Sequence, residues 1–84
     1  MKQRPKVRWF AKKMEEELRK NDYKSGWEDV DYDFLLDRAK ANLREIKLAK
    51  IYGLKPNRVE EHHVIKCCVD CANFCMMLAD VIKG

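Results

Sequence analysis

Three side chains able to bind a metal or move a proton recur on one face of the last helix-forming stretch. They are His63, Cys67 and Asp70, at i, i+4 and i+7. Imidazole, thiolate and carboxylate are zinc-ligand types, and Glu45 can add a fourth donor from the preceding stretch. The simpler explanation is a helix-start histidine and core thiols, because Cys68-x-x-Cys71 lacks the turn that a zinc knuckle needs. Glu45 and Asp70 also make a pair of acids on neighbouring segments, and carboxylates facing one another across a helical bundle commonly hold divalent cations. The competing assignment pairs Asp70 with Arg38, Arg44 or Lys47 across the same interface. A third group, Lys24-Ser25-Gly26-Trp27, sets a cation, a hydroxyl, a flexible backbone and a large aromatic ring in one loop. That mixture suits a phosphate and a base, although a lone Trp in a small helical domain more commonly plugs the end of the bundle.

The elements that must position these groups are helical. No segment alternates with period two for long enough to form a strand. The first helix is expected from Pro5, a good first-turn residue, to about Lys20, with Val7, Phe10, Ala11, Met14 and Leu18 on one stripe. Asn21 to Asp31 forms a loop broken by Gly26. The second helix starts near Asp31 and carries Phe34, Leu35, Leu36, Ala39, Leu43, Ile46, Ala49 and Ile51 on its apolar face. Gly53 ends it and Pro56 prevents its resumption. Asn57 and Glu60 have capping-box spacing at the start of the third helix. The expected architecture is all-α, a three-helix antiparallel bundle over residues 1–84, with a basic arm at residues 1–5.

The stretch from Val64 to Ile82 is apolar around most of its circumference, with Lys66, Asp70 and Asp80 its only charges. A chain of 84 residues buries only about 60–65% of its unfolded surface. Covering such a helix calls for a partner subunit, most simply an identical one. The net charge of +4 is concentrated in residues 1–20. With Trp9 and Phe10 between its lysines and arginines, that region could touch nucleic acid, but a solvated basic helix face accounts for it more simply. Cys67, Cys68, Cys71 and Cys75 fall within nine residues, a spacing with poor disulfide geometry in a helix. Free thiols, with no apolar leader core and no membrane-spanning run, point to a cytoplasmic protein.

From Phe10 to Ile82 the chain resembles the small phage and bacterial members of the MazG-like, all-α nucleoside triphosphate pyrophosphatases. The resemblance rests on Lys13-Met14 to Leu18, Lys24-Ser25-Gly26-Trp27, Leu35-Leu36 to Ile46, and above all Asp70-Cys71-Ala72-Asn73-Phe74-Cys75-Met76-Met77-Leu78-Ala79-Asp80. It implies a dimer or dimer of dimers built around the second and third helices. It also implies Mg2+-dependent hydrolysis of a nucleoside triphosphate to the monophosphate and pyrophosphate. Glu45 and Asp70 match two acids of the family's E-x-x-E and E-x-x-D metal site, where they would hold magnesium and activate water. The other two positions are Asn42 and Cys67, neither a carboxylate. Lys24 would neutralise phosphate, Trp27 would stack on the base, and Asn73 would hydrogen-bond the nucleotide. The expected activity is therefore pyrophosphohydrolysis in weakened or lost form. The alternative is a non-catalytic helical oligomer: a scaffold, an engineered variant, or a regulator that binds nucleotide or protein.

Overall fold

In a computed structural model, three helices follow one another: α1 (Pro5–Lys20), α2 (Tyr32–Ile51) and α3 (Arg58–Lys83). The structure describes residues 2–21, 26–51 and 58–84, and within them there is no strand. The expected Asn57/Glu60 cap, Gly53 and Pro56 lie outside the described residues, as do Lys24 and Ser25.

α1 begins with Pro5 in the first turn, where its missing N–H costs nothing, and ends with Arg19 and Lys20 beside the negative end of the helix dipole. Asn21 closes it by donating from Nδ2 to the carbonyl of Glu17 at 3.0 Å. α2 opens with the Leu35 amide donating to the Asp31 carbonyl at 3.2 Å, in the position expected for Asp31 at the helix start. At 20 and 26 residues, α2 and α3 run about 30 and 40 Å by their rise.

α2 and α3 are antiparallel, with Ala39 near Cys71 and Glu45 near His63. α1 packs on α3 as well, but α1 and α2 do not pack on each other. α3 is thus the shared wall, and a cleft opens between the other two. Among the described residues the buried apolar core is small: Leu35, Ala39, Cys67, Val69 and Leu78. Of the expected α1 stripe, Phe10, Met14 and Leu18 are half-buried, whereas Val7 and Ala11 face outward. On α2, Phe34 and Leu43 stand exposed although they share the apolar face by spacing. Both follow from α1 and α2 each having a single neighbour, which covers only part of an apolar stripe. No described helix is long and apolar enough to cross a membrane.

Candidate functional site

The cleft between α1, α2 and α3 has a volume of about 850 Å³, within the usual size of small-molecule sites. Its floor is α3, which contributes Lys66, Asp70, Asn73, Phe74 and Met77. α2 supplies Phe34, Arg38 and Asn42 at successive turns, and α1 supplies Glu17 and Leu18. Trp27 and Val30 close one end. A short turn holds them there, with the Val30 amide donating to the Trp27 carbonyl at 3.1 Å. The Trp27 indole Nε1–H donates to Asp80 Oδ2 at 3.0 Å, fastening that turn to the C-terminal part of α3.

Charge in the cleft is balanced. Lys66 Nζ bonds Asp70 Oδ2 at 2.8 Å and approaches Glu17 Oε2 of α1 at 3.8 Å. The bond to Asp70 is the main reason the lysine holds its proton more tightly than usual, although partial burial works against it. Glu17 is pulled below the ordinary carboxylate range, first by its bond from Lys20 at 2.8 Å and then by Lys66, against some desolvation. Asp70 is therefore paired within its own helix, and not with Arg38, Arg44 or Lys47 of α2. Residues four apart on a helix are neighbours, so Lys66 reaches it without crossing an interface. The cross-helix pair expected from the sequence does not form.

Asn73 is the most telling side chain. It is 4% exposed, and its Nδ2 donates to the Met14 carbonyl at 3.2 Å, tying α1 to α3. Its Oδ1 is buried with no hydrogen-bond partner. Such an orphaned acceptor costs about 1–3 kcal/mol, and the residue that carries it is among those lining the cleft.

The other expected residues divide between this cleft and a second locus. Trp27, Asp70, Asn73 and Asn42 all line the cleft. Asn42 donates to the Arg38 carbonyl at 3.0 Å. Glu45 does not line it. Its carboxylate sits 3.6 Å from His63 Nε2, and that same nitrogen is 3.8 Å from the sulfur of Cys67. Lys24 lies outside the described residues. As they stand, no three described His, Cys, Asp or Glu side chains make a metal-holding group. Sequence reasoning did not single out Glu17, Lys66, Phe34 and Phe74 as cleft residues. The i, i+4 spacing of Lys66 and Asp70 was the available signal; the Glu17–Lys66 approach across two helices has none.

All four cysteines are free, as their spacing implied. Burial is the main cause that raises the Cys67 thiol above its ordinary 9.0, followed by the nearby charges of Glu45 and Asp70, with Lys66 opposing. Burial also leads for Cys71, followed by Cys75. The sign for stability is fixed. The folded chain keeps these thiol protons longer than the unfolded chain, so stability is intact below pH 9.0 and is lost as pH rises through the raised folded values. Lys66 acts in the same direction above 10.5. Denaturation midpoints should therefore fall as pH rises above 9.0, and the fall should be shallower in Cys67→Ala/Cys71→Ala. Equal slopes in the two proteins would refute the assignment.

No family model matches the chain, and no curated protein or solved structure matches it.

Proposed function

We propose that the chain binds a nucleotide in the α1/α2/α3 cleft and hydrolyses it weakly or not at all. The observation that carries this is a cleft lined by Trp27, Phe34, Phe74 and Asn73, whose Oδ1 lies buried just behind that lining with no hydrogen-bond partner. A base offers an N–H to satisfy the acceptor and a flat face for the rings. Arg38 and Lys66 stand within reach of phosphate, while Glu17 and Asp70 offset their charge. Base contacts then contribute more to affinity than phosphate contacts do.

The MazG-like resemblance agrees with this reading and implies magnesium, which these residues do not suit. Magnesium takes hard oxygen donors in near-octahedral geometry. Of the four positions, Cys67 is a buried thiol, Asp70 is held by Lys66 and Glu45 lies beside His63. Calorimetric titration with the common nucleoside and deoxynucleoside triphosphates, in chelator, tests the proposal. Binding is expected without added magnesium. Phe34→Ala removes a half-exposed ring and should weaken binding severalfold while leaving the helical signal unchanged. Absence of binding by every nucleotide, or an unaffected Phe34→Ala, would contradict it.

A second reading, the homo-oligomer, draws support from surface area. The chain exposes 7188 Å², against about 5,200 Å² expected for a compact monomer of 10.0 kDa. Its radius of gyration is 14.1 Å, where about 12 Å is usual for this length. The excess is of the order that an obligate dimer covers. Cys68, Ala72, Cys75, Ala79 and Ile82 follow a four-three spacing along α3, and the last three face outward. That is a coiled-coil seam of mostly small residues. Ala79→Glu should give a folded monomer by sedimentation where the parent chain is a dimer or larger. A parent chain that sediments as a monomer at micromolar concentration would exclude this reading.

A further inference from the structure

Away from the cleft, a carboxylate and a thiol both approach one imidazole nitrogen. His63 Nε2 lies 3.6 Å from Glu45 Oε2 and 3.8 Å from Cys67 Sγ. His63 and Cys67 are one turn apart on α3, so the helix fixes their spacing before any ligand arrives. Glu45 comes from α2, and the antiparallel packing of α2 on α3 brings it there. The carboxylate and the imidazole are each about half exposed, at 55% and 56%, while Cys67 lies beneath them at 6%. An entering ion therefore meets a soft donor at the base of the group and harder donors at its mouth.

The distances select among metals. Zinc bonds to nitrogen or oxygen at about 2.0 Å and to sulfur at about 2.3 Å, so tetrahedral ligands stand about 3.3 Å apart (N to O) and about 3.5 Å apart (N to S). The observed separations exceed these by about 0.3 Å. Holding an ion would need the exposed Glu45 side chain to turn and the imidazole to shift by a few tenths of an ångström. Until Glu45 turns, the three donors do not surround a common point. Magnesium is poorly served, because one donor is a thiol and another an imidazole.

We propose that His63, Cys67 and Glu45 form a zinc-type divalent metal site, with the fourth position open to solvent. Binding forms three bonds to the ion, from Nε2, Sγ and a Glu45 carboxylate oxygen, and releases the Cys67 thiol proton to solvent. Lys66 lies near Cys67 and opposes a second cation, but its ammonium is already shared between Asp70 and Glu17. The site is separate from the nucleotide reading, so failure of nucleotide binding leaves it standing.

Cobalt(II) is the probe, added to the full reduced chain under a reductant that does not bind metal. One equivalent per chain is expected, with intense tetrahedral visible bands and a near-ultraviolet thiolate-to-cobalt band. Zinc should bleach both bands, whereas excess magnesium should leave them in place. Cys67→Ala should abolish the thiolate band, and Cys68→Ala should leave it unchanged. His63→Gln and Glu45→Gln alter exposed side chains and should weaken binding tenfold or more and severalfold, respectively. These two keep the test decisive if Cys67→Ala fails to fold. A thiolate band that survives Cys67→Ala, one lost in Cys68→Ala, affinity unchanged in both exposed-residue variants, or no cobalt binding at all would overturn the proposal.

Discussion

Val69→Asp is expected to leave the chain unfolded at room temperature. Val69 is 2% exposed on α3, beside Trp9 and Ile65, where α1 packs. The lysines lining that groove are Lys13, Lys20 and Lys66, and the last is bonded to Asp70. Lys13 and Lys20 are held by Glu16 and Glu17. Burying an unpaired charge costs several kcal/mol even after relaxation. A chain of 84 residues has a total stability of about 4–13 kcal/mol. With only five apolar residues buried among the described ones, there is little left to absorb the loss. Circular dichroism should show the helical signal lost. A folded Val69→Asp would mean that the α1–α3 contact is dispensable and that the core lies elsewhere.

The second large effect is a gain. Asn42→Glu together with Cys67→Glu should give the chain magnesium binding and raise pyrophosphate release from nucleoside triphosphates. Asn42 stands one turn from Glu45 on α2, and Cys67 one turn from Asp70 on α3. The double change places four carboxylates on facing helices, a hard-ligand set once Glu45 turns from His63 and Asp70 from Lys66. Either change alone should do less, because ligands of one ion act as a unit. Without metal the four acids repel one another, and the one at position 67 is buried. The double variant should therefore melt earlier than the parent in chelator and later when magnesium is added. Cobalt's thiolate band should vanish in the same protein, since Cys67 supplies the sulfur. If magnesium does not raise the melting temperature of the double variant, the four positions do not face one another.

Much of the architecture is legible in residue patterns. Pro5, Lys20 and Asp31 mark helix ends because proline geometry, the helix dipole and the first-turn carbonyl act locally. The four thiols read correctly as free because disulfide geometry is local too. Other features depended on neighbours. Phe34 and Leu43 fit the apolar face of α2 by periodicity, yet both are exposed, because α1 docks on α3 and leaves α2 with one partner. Asp70 was legible as an acid in an apolar helix, but its partner was misassigned. Candidates on α2 had to cross an interface, while Lys66 was one turn away. His63, Cys67 and Asp70 share a helical face by spacing, but only the α2–α3 register decides that Glu45 joins His63 and Cys67 while Asp70 turns to the cleft. The orphaned oxygen of Asn73 has no sequence signal at all, since it arises from where the Met14 carbonyl happens to take Nδ2.

The cleft is the centre of the account, and the Trp27 indole and the Asn73 amide report on it directly. Nitrogen-15-labelled chain titrated with nucleoside triphosphate in chelator should show saturable shifts of the Trp27 Nε1–H and Asn73 Nδ2–H2 resonances. The former is bonded to Asp80 at one end of the cleft, and the latter to Met14 at its wall. The two should follow one binding curve, with backbone shifts on α3 around Asp70 to Phe74. Shifts confined to the outer face of α1 around Arg8 and Lys12, with Trp27 and Asn73 unmoved, would place any nucleotide on the basic helix surface and contradict a binding cleft.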